Sequence, residues 1–170
     1  MGIMEGIVNN KKRPLDISFH YTNPEMVNDL IQLIPFMLSD SVLDAGSGKN
    51  KVWYNHIPSY CDKNECDIED GVDFFEMKKE FDWIIGNPPF HIGHKFFLKA
   101  SELSVKGFAF LSNIQSFNSL TTKRLDEIKR NGFYIQRIHV VNDKRWFGRY
   151  FFIIFEKKIN SFFTFNLKSY

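Results

Sequence analysis

The chain has 170 residues, of which 44% are hydrophobic and 25% are charged, and its formal net charge is +2. This length and apolar content allow one well-packed core and exclude a second full domain. The sequence contains neither a run of about eighteen apolar residues nor a basic-then-apolar leader, so we expect no membrane span, no export and a cytoplasmic location.

The cysteine count and the net charge limit which cofactors and partners the chain can have. Cys61 and Cys66 are too few for a disulfide framework, and with His56 they would form only part of a zinc shell, so we predict no metal site. A net charge of +2 permits an anionic partner without requiring one. Binding of nucleic acid must therefore be argued from the positions of the charges.

The start of the chain divides into an arm and a helix. Residues 1–16 are polar and basic without apolar periodicity, so we predict a flexible basic arm followed by one domain over 17–170. Residues 22–25 form a capping-box pattern, and apolar residues then recur at helical spacing, which predicts a helix. Pro35 would clash with the carbonyl of Ile31, so the helix should end or kink near it.

The rest of the chain alternates short apolar runs with longer amphipathic stretches. That alternation predicts parallel strands joined by crossover helices. The last two apolar runs, 135–141 and 150–155, are too close together for a crossover helix, so they should pair as an antiparallel hairpin. The predicted fold class is α/β, with a mostly parallel sheet, a C-terminal antiparallel hairpin and helices on both faces.

A buried strand at 42–44 runs into a turn of small residues. Glycine at positions 46 and 48 lets the backbone approach a ligand closely, at the carboxyl end of a strand where doubly wound sheets bind their ligands. Loops of this kind also occur as plain tight turns, so the motif alone leaves cofactor binding open. The Lys-Ser/Thr pair of a phosphate loop is missing.

A more specific motif ends the apolar strand at 81–86 and consists of Asn87, Pro88, Pro89 and Phe90. The two prolines fix the backbone and remove donors, so the Pro88 carbonyl can accept a hydrogen bond beside the Asn87 side-chain oxygen. Two such acceptors would stabilise an exocyclic amine that becomes positive as it attacks a sulfonium methyl. Phe90 offers a flat surface for stacking an unstacked base.

Together these motifs resemble the class I, Rossmann-like S-adenosylmethionine-dependent methyltransferases, and within them the amino-methyltransferases marked by Asn-Pro-Pro-aromatic. The nearest likeness is to small adenine-N6 DNA methyltransferases of phages and viruses, and it spans about 19–167. The resemblance implies a mostly parallel seven-stranded sheet, S-adenosylmethionine as cofactor and methyl transfer to a nucleobase amine, with adenine N6 in DNA preferred. Asn87, Pro88, Pro89 and Phe90 would be the catalytic residues.

The resemblance also implies two groups of cofactor-binding residues near the start of the domain. The segment that closes over the methionine end of the cofactor is matched by Tyr21, Thr22 and Pro24. The loop beneath the methionine and ribose is matched by Asp44, Gly46 and Gly48.

The remaining cofactor-binding residues that the resemblance implies are Asp67, Ile68, Asp73 and Phe74. Asp67 is similar to the acid that accepts hydrogen bonds from the ribose hydroxyls, and Asp73 to the acid that accepts from the adenine amino group. The two acids are unusually close in sequence, so Glu65 or Glu69 remains an alternative to Asp67. The other interpretation of these acids is a solvated acidic loop.

Three cations lie between the last two predicted strands, and we expect them to contact nucleic acid: Lys144, Arg145 and Arg149. Cations beside aromatic residues suit a phosphate backbone and an unstacked base. The alternative is a solvated hairpin tip with Trp146 folded back onto the sheet. Because no room is left for a target-recognition region, specificity should be short, or should come from a second copy or a specificity subunit.

Two other functions stay open at this stage. Asn-Pro-Pro-aromatic also marks enzymes that methylate guanine N2 in RNA, and His91 and Gly93 resemble that form, so methylation of guanine N2 or adenine N6 in RNA is the first alternative. A non-catalytic methyltransferase-like subunit that binds nucleic acid for an active partner is the second. We expect DNA rather than RNA as the partner.

Overall fold

The computed structural model describes residues 22–142 and 149–157. Its strands are β1 (Ser41–Ala45), β2 (Asp62–Cys66), β3 (Phe81–Gly86), β4 (Ser104–Asn113), β5 (Tyr134–Val141) and β6 (Tyr150–Glu156). Its α-helices are α1 (Pro24–Ile31), α2 (Val52–His56), α3 (Gly93–Leu103), α4 (Ile114–Asn118) and α5 (Thr122–Arg130). Short 3₁₀-helices lie at Ile68–Asp70, Phe74–Glu76 and Phe90–Ile92. The predicted arm at 1–16, Tyr21, Lys144 and Arg145 lie outside the described residues.

The strands form one mixed sheet in the order β2-β1-β3-β4-β6-β5. The first four strands in this order are parallel, and β6 is antiparallel to both β4 and β5. This arrangement confirms the predicted parallel sheet with a C-terminal hairpin. Six strands are found over 22–142 and 149–157 where seven were expected. The connection at 67–80 contains only two 3₁₀ turns. This connection is too short to hold a further strand and its crossover helix.

Alternation along the strands divides the core into two layers. In β4, Phe108 and Phe110 join the cluster covered by α3 and α5, whereas Ala109 and Leu111 join the cluster covered by α1 and α2. This is the period of two that a strand buried on both faces requires. Helices therefore lie on both faces, as predicted. Much of the phenylalanine content packs in these layers, as in the stacked cross-strand pair Phe108 and Phe155, with ring centroids 4.7 Å apart.

Helix α1 begins with a different cap from the one that the sequence pattern indicates. Asn23, not Thr22, occupies the N-cap, and its side-chain oxygen accepts from the Glu25 N–H at 2.9 Å. The helix ends at Ile31, ahead of Pro35, as the expected clash with the Ile31 carbonyl requires. The Thr22 hydroxyl is thereby left for another contact, described below.

An ion cluster joins the amino ends of three neighbouring strands, whereas the predicted site lies at the carboxyl ends of the strands. Lys106 of β4 pairs with Asp40, which precedes β1, and with Asp82 of β3, at 3.3 Å from its Oδ1. Asp82 Oδ2 accepts from both the N–H and the hydroxyl of Ser41. Because Asp40 is only 2% exposed, its carboxylate depends on this cation for compensation.

Replacing Lys106 should destabilise the fold more than replacing an exposed partner of an ion pair. Lys106→Met leaves the buried Asp40 charge uncompensated, and we expect a loss of about 2–3 kcal/mol in unfolding free energy, measured by urea titration. The control is Arg130→Met, which removes an exposed pair with Asp126 of 3.3 Å within α5 and should cost about 0.5 kcal/mol or less. Equal losses in the two variants would contradict the proposed role of Asp40.

Candidate active site

The strand order reverses between β1 and β3, which is the kind of switch point at which open α/β sheets form a crevice. The chain leaves β1 for β2 on one side of this point and leaves β3 for β4 on the other. In open α/β sheets, ligands bind at such a switch point, outside the carboxyl ends of the strands. The loop of residues 46–48 that follows β1, called here the glycine loop, and the segment 87–90 that follows β3 both begin at this crevice.

The ends of β1 and β3 approach so closely that only glycine fits at position 86. A Cβ atom on Gly86 would lie 2.7 Å from the carbonyl oxygen of Ala45 and 3.2 Å from Asp44 Oδ1. Its φ of +149° also belongs to a region that residues with a side chain rarely adopt. This contact sets Asn87 beside the glycine loop. Gly86 was not among the residues predicted from the sequence, although a glycine that ends an apolar strand just before a functional motif could have indicated it.

The glycine loop is tied to the carboxyl end of β2. Gly46 and Gly48 have φ values of +75° and +63°, in the left-handed region that favours glycine. The N–H groups of Gly46 and Ser47 both donate to the Cys66 carbonyl, at 2.9 and 3.1 Å. The Gly48 N–H donates to Asp67 Oδ2 at 2.8 Å. The predicted loop residues and the predicted ribose acid are thus joined by a direct hydrogen bond.

Asp44 is a fully buried carboxyl group beneath this loop. Its Oδ2 accepts from the Tyr54 N–H at 2.9 Å, whereas its Oδ1 has no hydrogen-bond partner among the residues described. Burial raises the pKa of Asp44 to about 7; the Tyr54 hydrogen bond opposes the shift, and the charges of Glu65 and Asp67 add to it. An unpartnered oxygen beside the crevice is an acceptor for a ligand that carries N–H or O–H groups or positive charge.

Asp67 lies closer to the glycine loop than the two alternative acids. Its Oδ1 accepts from the Glu69 N–H at 2.9 Å while its Oδ2 holds Gly48, and a carboxylate still has lone pairs for further donors. Glu65 pairs with Lys51, and Glu69 pairs with Lys49 at 3.6 Å. Each glutamate thus directs one carboxylate oxygen to a lysine, and the second oxygen of Glu65, Oε2, is buried without a hydrogen-bond partner among the described residues. This geometry favours Asp67 as the acid that would meet a ribose.

The residues that follow Asp67 divide between the surface and the core. Ile68 is 73% exposed directly after Asp67, so its side chain is available to cover a flat ligand. Asp73 Oδ1 accepts from the Phe75 N–H at 2.9 Å and so caps a 3₁₀ turn. Phe74 is 4% exposed and stacks on Phe96, with ring centroids 5.1 Å apart. The Phe74 side chain therefore packs in the core, and only its main chain could serve a cofactor.

The Asn-Pro-Pro-Phe segment leaves β3 at the other side of the crevice. Asn87 is half-buried, and its Nδ2 donates to Thr22 Oγ1 at 3.1 Å. Pro88 is buried, whereas Pro89 is exposed and uses its carbonyl to accept from the Ile92 N–H at 3.1 Å. The Pro89 carbonyl is therefore engaged in the turn at Phe90–Ile92. The main-chain carbonyl next to Asn87 and ahead of that turn is the one of Pro88.

Phe90 is held from the side of the C-terminal hairpin. Its ring contacts that of Tyr150, with centroids 5.7 Å apart at an angle of 50°. Arg149, the predicted nucleic-acid contact that lies within the described residues, is exposed and directly precedes Tyr150. Tyr150 was not predicted from the sequence, because it lies far from Phe90 along the chain. Pro24 is exposed at the first position of α1.

No helix within residues 22–142 or 149–157 is long and apolar enough to cross a membrane. No group of three or more His, Cys, Asp or Glu side chains in the same ranges could hold a metal ion.

Comparison with solved structures identifies the fold. A dimethyladenosine transferase from Plasmodium falciparum superposes with a TM-score of 0.58 at 17% identity, covering 84% of this chain and 65% of that one. The chain has the Rossmann-like methyltransferase fold. The N-methyltransferase NodS from Bradyrhizobium japonicum WM9 shares it, with a TM-score of 0.57, 9% identity and coverage of 78% and 94%. No protein-family model and no curated protein sequence matches the chain.

The same methyltransferase fold occurs with its cofactor bound in a further structure. Magnesium protoporphyrin IX methyltransferase from Synechocystis PCC 6803, solved with S-adenosylmethionine, has a TM-score of 0.54 at 10% identity and covers 79% of each chain.

Asp44 should make the stability of the fold depend on pH. The pKa of Asp44 is about 7 in the folded chain, whereas its ordinary value is 3.8. Between pH 3.8 and about pH 7, therefore, the folded state keeps a proton on Asp44 that the unfolded state has lost. Stability should therefore fall as pH rises from about 4 to about 7, by a few kcal/mol at about 1.4 kcal/mol per pKa unit. Asp44→Asn keeps an oxygen for the Tyr54 N–H and removes this fall.

The measurement is the difference in unfolding free energy between Asp44→Asn and the natural chain at pH 5 and pH 8. The variant should gain relative stability at the higher pH, and other titrating groups cancel in the difference. The same difference at both pH values would show that Asp44 is already ionised at pH 5.

Proposed function

We propose that the chain binds S-adenosylmethionine in the crevice between β1 and β3 and transfers its methyl group to an exocyclic amino group of a nucleobase, with adenine N6 in DNA preferred. The observation that carries this proposal is the position of the Asn-Pro-Pro-Phe segment, at the carboxyl end of β3 and directly beside the glycine loop. A methyl donor and an amine acceptor would meet at that point.

The residues of the crevice fit this cofactor. Asp44 offers a buried, unsatisfied oxygen to a ligand with ammonium and sulfonium charges. Gly46 and Gly48 let the chain pass close beneath a ligand, and Asp67 has acceptor capacity for ribose hydroxyls. The Synechocystis neighbour binds S-adenosylmethionine on the same fold. When bound, this cofactor supplies a methyl carbon on a positively charged sulfur.

The chain's own contribution to methyl transfer is to place two acceptors before the amine. Asn87 Oδ1 and the Pro88 carbonyl would accept the two amine hydrogens, and they bind more strongly as the nitrogen becomes positive. The proline backbone holds them in place before the reaction, so they cost little reorganisation. Once the nitrogen is alkylated its proton can leave to water, so no carboxylate base is required.

Phe90 completes the acceptor site by offering a surface to the base. An adenine withdrawn from its stack can lie on the ring, a contact of about 1–3 kcal/mol per base in single-strand-binding proteins. Tyr150 braces this ring from the hairpin. Arg149 is exposed next to Tyr150, and we propose that it contacts a phosphate of the same strand, as Lys144 and Arg145 would. Specificity beyond these contacts would need a second copy or a specificity subunit.

An adenine amino group is the preferred acceptor for two reasons. The sequence motif resembles that of adenine-N6 enzymes, and one structural neighbour is a dimethyladenosine transferase. The guanine-N2 alternative in RNA was based on His91 and Gly93, and packing accounts for the glycine. A Cβ on Gly93 would lie 2.2 Å from Ser116 Oγ and 3.3 Å from Ser116 Cβ, so packing against α4 favours a glycine there. His91 is exposed, and it is the part of that resemblance that packing does not explain.

Asn87→Ala should abolish methyl transfer while leaving the fold and cofactor binding intact. Loss of one acceptor of developing charge costs about 10²–10³-fold in kcat, whereas the dissociation constant for S-adenosylmethionine should change less than about threefold. The readout is labelled cofactor incubated with separate DNA and RNA pools, with the modified base identified by mass spectrometry. Asn64→Ala, an asparagine on β2 whose amide bonds only within its own strand and to Lys79 among the described residues, is the control and should keep full activity.

The pools separate the competing functions. N6-methyladenine in DNA supports the preferred acceptor. Label only in RNA would refute the DNA assignment and retain amino-methyl transfer. Cofactor binding by calorimetry without label in any pool would favour a non-catalytic subunit, and a well-folded chain that binds no cofactor would overturn the proposal.

A further inference from the structure

We infer that Thr22 is a positioning residue: its hydroxyl holds the Asn87 amide in the orientation that turns Oδ1, rather than Nδ2, to the amine. The inference rests on the proposed function and assigns Thr22 to the reacting amine instead of to the cofactor. The contact that supports it runs from Asn87 Nδ2 to Thr22 Oγ1 and measures 3.1 Å, between residues 65 positions apart in the chain.

The orientation of Asn87 decides whether the site can work. An asparagine amide has an acceptor at one end and two donor hydrogens at the other, and a rotation of about 180° exchanges them. With Nδ2 toward the substrate, donor hydrogens would face the hydrogens of an amine that is gaining positive charge. A threonine hydroxyl can accept or donate, and in the structure Thr22 Oγ1 accepts from Nδ2, so Oδ1 is the end of the amide turned away from Thr22.

Thr22 is itself held firmly. The residue is 8% exposed, and it stands directly before the N-cap of α1. Val27 and Leu30 bury the apolar face of that helix in the core layer that also contains Ile85 of β3. Thr22 lies outside α1, one residue ahead of its N-cap, so the packed helix anchors the chain directly after the residue whose hydroxyl orients the Asn87 amide.

The local sequence supports a dedicated role for this hydroxyl. Threonine is a good N-cap residue, and the pattern of residues 22–25 would allow Thr22 to cap α1. Asn23 performs that task instead, through its bond to the Glu25 N–H. The Thr22 side chain therefore does not cap the helix, and its described contact is with the Asn87 amide.

A pair of substitutions at one position separates positioning from packing. Thr22→Val keeps the shape and removes the acceptor, so the single-turnover rate of methyl transfer should fall about tenfold, as for the loss of one hydrogen bond. The dissociation constant for S-adenosylmethionine and the KM for nucleic acid should stay within about twofold. Thr22→Ser keeps the hydroxyl and should recover the rate to within about threefold of the natural chain.

Two further variants test the coupling. Asn23→Ala weakens the cap of α1 but leaves the Thr22 hydroxyl in place, so its rate should match that of the natural chain. In the double variant Thr22→Val with Asn87→Ala, the rate should equal that of Asn87→Ala alone, because Thr22 acts only through the Asn87 amide. Unfolding free energies of all variants, measured by urea titration, report whether the fold is kept.

The outcomes distinguish this inference from the proposed function. Equal rates for Thr22→Val and Thr22→Ser, a rate loss as large in Asn23→Ala, or weaker cofactor binding with an unchanged rate at saturation would overturn the positioning role and leave methyl transfer standing. A natural chain that labels neither DNA nor RNA would instead overturn the proposed function, and the role of Thr22 with it.

Discussion

The close approach of β1 and β3 at Gly86 is the contact on which the site depends. Because no Cβ separates the two strand ends, the main chain after β3 begins beside the Ala45 carbonyl and the Asp44 side chain. The glycine loop and Asn87 therefore share one crevice instead of lying at two separate strand ends. Every role proposed for the crevice, from the buried Asp44 carboxyl to the amine acceptors, requires that proximity.

Forming the crevice lowers the stability of the folded chain, and packing in the remainder of the fold offsets this loss. A buried carboxyl with an unsatisfied oxygen opposes folding at neutral pH, since its pKa of about 7 reflects the difficulty of ionising it there. At the opposite edge, Lys106 compensates the buried Asp40, and two layers of aromatic and aliphatic residues pack the sheet. Local instability at one strand edge, supported by strong packing elsewhere, is typical of binding sites.

The sequence predicted those features that depend on local pattern. All the described strands except β2 follow from short apolar runs, and the hairpin follows from a connection too short for a helix; β2 (Asp62–Cys66) is polar and no such run predicts it. Residues that act across the fold were harder to predict: Asn23 displaces Thr22 as helix cap, and Phe74 enters the core on Phe96. Each outcome depends on which segments meet in space, and a linear pattern does not contain that information.

The most direct test is a crystal structure of the chain with S-adenosylhomocysteine, the product of methyl loss from the cofactor. The account predicts that the ligand lies across the carboxyl ends of β1 and β3, with its sulfur between the glycine loop and Asn87 and a donor group of the ligand on Asp44 Oδ1. A ligand bound elsewhere on the sheet, or a crevice closed by side chains while the ligand stays in solution, would contradict it.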